Sequence, residues 1–127
     1  MAEFPSDGWA QAVAATVNDD AEFARIAREF DATVRFDFGE DAYAFELGGG
    51  TVRSVRDATA FSRWDVAVRA PMDTWETFLS ESPPPFYNDL RSVWTQHDMT
   101  IEGDVLTAIQ HWRPLKYLVA VFGEVRR

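Results

Sequence analysis

The sequence predicts an α+β domain, a five-stranded, mostly antiparallel sheet covered by helices. Three observations carry this. Two stretches near the start place apolar residues at helical spacing. The period then switches to two over residues 33–70, which is the signature of half-buried strands. From residue 72 onward the helical period returns, interrupted by one short alternating segment at 99–102. Helices that stand apart from the strands in sequence argue against an alternating α/β fold.

The elements follow in order. "FPSDGWAQAVAATVN" reads as a helix capped by Ser6 or Asp7, with Trp9, Val13 and Val17 on one stripe. "DDAEFARIAREF" reads as a second, capped by Asp and carrying Phe23, Ile26, Ala27 and Phe30. "TVRFDFG" alternates Val34, Phe36 and Phe38 against Arg35 and Asp37. "AYAFELG" sets Tyr43, Phe45 and Leu47 against Ala44 and Glu46. Gly39-Glu40-Asp41 joins these two strands. Gly48-Gly49-Gly50 turns the chain into "TVRSVRDA", a third strand. No Lys-Ser/Thr follows those glycines and no helix opens after them, so they read as a hairpin turn and not as a phosphate loop.

"RWDVAVRAP" is a fourth strand, completing a meander, and Pro71 ends it. "MDTWETFLS" is an amphipathic helix for which Asp73 is the expected cap. "SPPPF" is a rigid connection, and the next helix is expected to start at Phe86. It carries Leu90, Val93 and Trp94. "MTIEGD" is the fifth strand, and Asp104 caps the last helix. Pro114 inside that helix should kink or restart it near Arg113.

Composition bounds the function. The chain has 127 residues, the size of one domain, so residues 1–127 are read as a single unit. It has no cysteine, which excludes disulfides, thiolate metal ligands and a cysteine nucleophile. The net charge is −9, with eleven acidic and three basic residues among the first fifty. Such a surface argues against nucleic acid and against avid binding to anionic membranes. No apolar run approaches the ~20 residues of a membrane span. The N-terminus lacks a basic region followed by an apolar one, so the expected location is the cytoplasm.

Residues with chemical potential are sparse. His97 and His111 are the two histidines, fourteen residues apart on different elements. Their spacing matches no standard metal pattern, so helix-end or surface roles are expected. Asp19-Asp20 and Glu40-Asp41 fall at helix starts and turns, where Asp serves local hydrogen bonding. No serine sits in a Gly-x-Ser-x-Gly elbow. No catalytic residue, metal or cofactor is expected. Aromatics make up 14% of the chain, which suits either a dense core or an apolar pocket. Arg113 and Lys116 flank Pro114 and are expected to form a solvated face.

Four stretches together resemble the sterol carrier protein type-2 family of lipid-binding domains. They are "FPSDGWAQAVAATVN", "ELGGGTVRSV", "WDVAVRAPMDTWETFLS" and "MTIEGDVLTAI", the last a short strand ending in Gly-Asp that opens the C-terminal helix. The likeness spans nearly the whole chain. The connection "SESPPPFYNDLRSVWTQHD" is longer and richer in proline than that family's usual one.

The resemblance implies an apolar tunnel under the C-terminal helix and a carrier, not an enzyme. Its ligand would be a fatty acid, acyl-CoA, sterol-like molecule or other lipid. The residues it points to as ligand-lining are Trp75, Phe78, Phe86, Trp94, Ile109, Trp112, Leu115, Leu118 and Phe122. Core packing is the competing reading for every one of them. Two alternatives stay open. One is a small enzyme or accessory protein acting on an apolar substrate, with Tyr87, His111 or Glu102 as its polar group. The other is an interaction protein whose tryptophans fill the interior and whose exposed apolar face makes a homodimer.

Overall fold

A computed structural model of the protein describes residues 3–58, 63–87 and 89–126. The chain runs α1 (Asp7–Asn18), α2 (Ala21–Ile26), β1 (Ala32–Phe38), β2 (Asp41–Gly48), β3 (Thr51–Asp57), β4 (Val66–Ala70), α3 (Met72–Phe78), α4 (Leu90–Gln96), β5 (Thr100–Gly103), α5 (Val105–Gln110) and α6 (Trp112–Arg126). The five strands form one sheet in the order β3-β2-β1-β4-β5.

Local chemistry sets most boundaries. Ser6 Oγ accepts from Trp9 N at 3.1 Å and starts α1. Asp20 accepts from Glu22 N to start α2, and Asp104 from Thr107 N to start α5. Gly49 and Gly50 both hold positive φ, at 63° and 83°, which suits the tight turn between β2 and β3. A Cβ on Gly50 would lie 2.6 Å from the Ala24 carbonyl oxygen, so the turn packs directly on α2. Pro114 restarts the helix, as its missing N–H predicts. α5 ends at Gln110, and α6 begins at Trp112 with Pro114 in its first turn, where no donor is needed.

Three expectations are corrected. The four strands do not form a meander. β1, β2 and β3 are joined antiparallel, but β4 crosses over and pairs parallel with β1, from Val34 opposite Val66 to Phe38 opposite Ala70. β5 then adds antiparallel to β4. The sheet is therefore mixed, with a single parallel ladder. Asp73 does not cap α3: Pro71 occupies the cap position with no side-chain bond, and Asp73 lies in the first turn. The next helix does not start at Phe86. That residue has φ 69°, the left-handed region in which a right-handed helix cannot continue, and Asp89 caps α4 instead by accepting from Ser92 N at 2.8 Å.

One face of the sheet carries the core. Val34, Phe36, Phe38, Phe45, Val66 and Val68 are buried beneath α1 and α6. The opposite face holds a ladder of ions. Arg35 Nε lies 2.7 Å from Asp37, Arg69 Nη1 2.5 Å from the same carboxylate, and Arg69 Nε 3.2 Å from Glu102.

Candidate ligand-binding site

The residues named from the sequence divide into three groups. Trp75, Leu115, Leu118 and Phe122 are wholly buried. Phe122 meets Phe36 edge-to-face at 4.8 Å and Trp9 at 5.0 Å. Trp75 lies 4.8 Å from Phe38, and its Nε1–H donates to the Asp37 carbonyl at 2.8 Å. Trp9 Nε1–H likewise donates to the Phe122 carbonyl at 3.2 Å, tying α1 to α6. Both indoles thus place their polar edge on a backbone acceptor and their ring in the core, as buried tryptophans must. These rings occupy the space between α6 and the sheet, and no tunnel is seen there among the described residues.

Trp94 and Trp112 form a second group. Their rings are 5.6 Å apart at 34°, half-buried between α4 and α6. Phe78, Phe86 and Ile109 are the remainder. Phe86 and Ile109 are 57% and 53% exposed, while Phe78 is half-buried.

Phe78 lines an open groove. A groove of about 330 Å³ runs beside α6, between that helix and the segment joining α3 to α4. Its apolar surface comes from Phe78, Leu79, Leu90 and Val119. Lys116, Ala120, Gly123 and Glu124 line the α6 side, and Ser80, Glu81, Pro83 and Asp89 the opposite side. This volume is at the lower end of the roughly 300–1,000 Å³ typical of small-molecule pockets.

Trp94 lies one helical turn beyond Leu90 on α4, and Trp112 one turn before Lys116 on α6. The tilted tryptophan pair therefore bridges the two helices one turn past the groove lining. Of the nine side chains named from the sequence, Phe78 lines the groove and Trp94 and Trp112 stand at its end.

Sequence reasoning missed Leu79, Leu90, Val119, Ala120 and Gly123 as lining residues. A usable signal was present. Ala120 and Gly123 are small residues three apart on α6, and a glycine inside a helix costs about 1 kcal/mol relative to alanine, so its presence asks for a local reason.

The polar candidates lie elsewhere. His97 ends α4 and stacks on Tyr87 at 3.7 Å, with its Nε2 buried and without a hydrogen-bond partner among the described residues. His111 sits between α5 and α6 and stacks on Phe30 at 4.9 Å. Glu102 belongs to the ion ladder on the opposite sheet face. Arg113 pairs with Glu22 at 3.2 Å, away from the groove. Among the described residues, no group of three His, Asp or Glu side chains could hold a metal ion.

The Asp20 carboxylate accepts a hydrogen bond from the Tyr117 hydroxyl, which links α2 to α6. That bond holds Asp20 below the ordinary carboxylate value and, from the other side, pushes Tyr117 up to about 12. Tyr43 is also raised to about 12, chiefly by burial and then by nearby carboxylates, Asp7 first.

This architecture is that of a sterol carrier protein 2 fold: a mixed five-stranded sheet, one face covered, with a long C-terminal helix lying across it. A crystal structure of sterol carrier protein 2 superposes with a TM-score of 0.80 at 17% identity, covering 96% of this chain and 98% of that one. A conserved Thermus thermophilus protein described as possibly a sterol carrier protein superposes at 0.78 and 18% identity, covering 97% and 90%. A ubiquinone synthesis protein superposes at 0.57 and 13% identity, covering 94% and 96%. No family model matches the sequence, and no curated protein matches it.

Proposed function

We propose that the protein binds and carries a lipid or other apolar small molecule, without acting on it chemically, and that the groove beside α6 is where the ligand seats. The observation that carries this is the groove itself: an open trough lined by Phe78, Leu79, Leu90 and Val119, with Trp94 and Trp112 one helical turn past its lining. The shared fold with sterol carrier protein 2 structures supports the same reading. Binding would be driven by removal of apolar surface from water, at roughly 25 cal/mol per Å² buried. An acyl chain or ring system would lie along α6 with its polar end at the solvent side.

Ala120→Trp tests it. Ala120 is exposed on the groove wall, so the larger side chain fills the groove without entering the core. Uptake of an uncharged fluorescent amphiphile should fall to background in this variant while its circular dichroism stays that of the parent chain. Undiminished uptake would remove the groove from consideration. Native mass spectrometry of freshly purified protein, with solvent extraction, would identify the natural ligand class.

A second reading has its own observation. On α5, Leu106 is 64% and Ile109 53% exposed, one turn apart on the outer face. This pair favours self-association. Sedimentation across a concentration series, with Leu106→Glu as the control, decides whether α5 is a dimer contact.

A further inference from the structure

We infer that the groove beside α6 selects amphiphiles with a positively charged headgroup over those with a carboxylate or phosphate, an inference that rests on the groove being the ligand site. The floor takes the tail, through Phe78, Leu79, Leu90 and Val119. The rim decides the head. Glu81 and Asp89 stand on the side of the α3–α4 connection, and Glu124 and Lys116 on α6. Three carboxylates against one ammonium leave an excess of two negative charges around an apolar slot.

The arrangement gives the carboxylates the better positions. Asp89 is fixed by its bond to Ser92 N at the start of α4 and is half-buried. Lys116 is exposed, makes no ion pair among the described residues, and has a flexible stem that can swing into water. Beyond Leu79 and Ser80 the trough reaches Glu76 and Arg126, which pair with each other and add no net charge. An ammonium head seated at the rim would therefore meet Glu81, Asp89 and Glu124 at close range. A carboxylate head would meet the same three groups with a single mobile lysine as partner. The chain's −9 overall points the same way, but screening over about 8 Å at physiological salt makes the local rim the deciding charge.

The test uses three amphiphiles of one chain length and different heads: dodecylammonium, dodecanol and dodecanoate, the two ions below their micelle concentrations and the alcohol below its solubility limit. Binding to the full chain is followed by calorimetry and by backbone amide NMR shifts. The expected result is shifts at Leu79, Leu90, Val119 and Gly123, with dodecylammonium bound about tenfold more tightly than dodecanoate, the ratio given by two charge interactions of ordinary surface strength. The double variant Glu81→Gln, Glu124→Gln should bring the two affinities within about threefold of each other by the same arithmetic. Equal or tighter binding of dodecanoate by the parent chain overturns the inference and leaves the carrier reading standing, since dodecanol still reaches the groove. Shifts confined to the acidic region Asp19–Glu22, or a preference unchanged in the double variant, show general attraction to an acidic protein and overturn it as well. Failure of all three to perturb the groove overturns both readings together.

Discussion

The two sides of α6 show how one helix serves two purposes. Its sheet-facing side presents Leu115, Leu118 and Phe122, all wholly buried, to a set of rings 4.7 to 6.5 Å apart, most of them edge-to-face. Its flank presents Lys116, Ala120, Gly123 and Glu124 to an open groove. Both sides are partly apolar, and the difference is what lies opposite. The sheet offers Phe36, Phe38 and Phe45 at close range, and dense packing follows. The α3–α4 connection carries three successive prolines, Pro83, Pro84 and Pro85, which cannot form a helix that would close down on α6. Space is left on that flank.

The largest expected effect tests the filled side. Phe122→Ala should cost about 3–5 kcal/mol of stability, because it leaves a cavity among Phe36, Trp9 and Phe45 that rigid rings cannot collapse to fill. Denaturant unfolding measures this. Uptake per folded molecule should be unchanged. A large loss of uptake at constant folded fraction would show that the interior, not the flank, holds the ligand, and the contrast between the two sides would fail.

The tryptophan pair sharpens the contrast from the other side. Trp112→Ala removes the ring that meets Trp94 at the end of the groove. The groove should then extend by one helical turn, about 5.4 Å, and the preferred tail length should increase. A homologous series of alcohols, compared in the parent chain and the variant, reads this directly. A half-buried site predicts a stability loss smaller than that of Phe122→Ala. An unchanged length preference would mean that the pair does not end the groove.

What the sequence made legible separates along the same line. Caps at Ser6, Asp20 and Asp104, the alternation in β1 and β2 and the restart at Pro114 are local, and each was readable from a few residues. The pairing of β4 with β1 was not, because a parallel ladder is fixed by contacts remote in sequence, whereas a hairpin is fixed by its turn. The start of α4 is not legible from the prolines, because a proline run can precede a helix or a turn. Here the backbone reverses at Phe86, and Asp89 supplies the cap. The candidate site was legible only as an apolar stripe. Periodicity marks Phe122 and Val119 alike, but it does not say which will find a partner. Both are buried, Phe122 against the sheet and Val119 under the groove beside α6. Large aromatics suit ligand contacts, yet they are the residues that a core claims first, and the smaller Ala120 and Gly123 line the open flank.

The smallest effect concerns how α6 is held at its N-terminal end, where the groove stops. Tyr117 donates to Asp20. Asp20 lies below its ordinary 3.8, so its share of stability is present above that value and is lost as pH falls through the lowered one. Tyr117 is raised from 10.0 to about 12, so its share is present below pH 10 and is lost as pH rises through about 12. Tyr117→Phe should therefore flatten the alkaline limb of the stability profile in that window, with part remaining because Tyr43 titrates there too. It should also reduce the acid limb below pH 3.8. Both ends of the pH profile changing together would identify one hydrogen bond as the common cause. A change at the alkaline end alone would mean that Asp20 draws its depression from the α2 backbone amides, and that α6 is anchored by its buried face without help from α2.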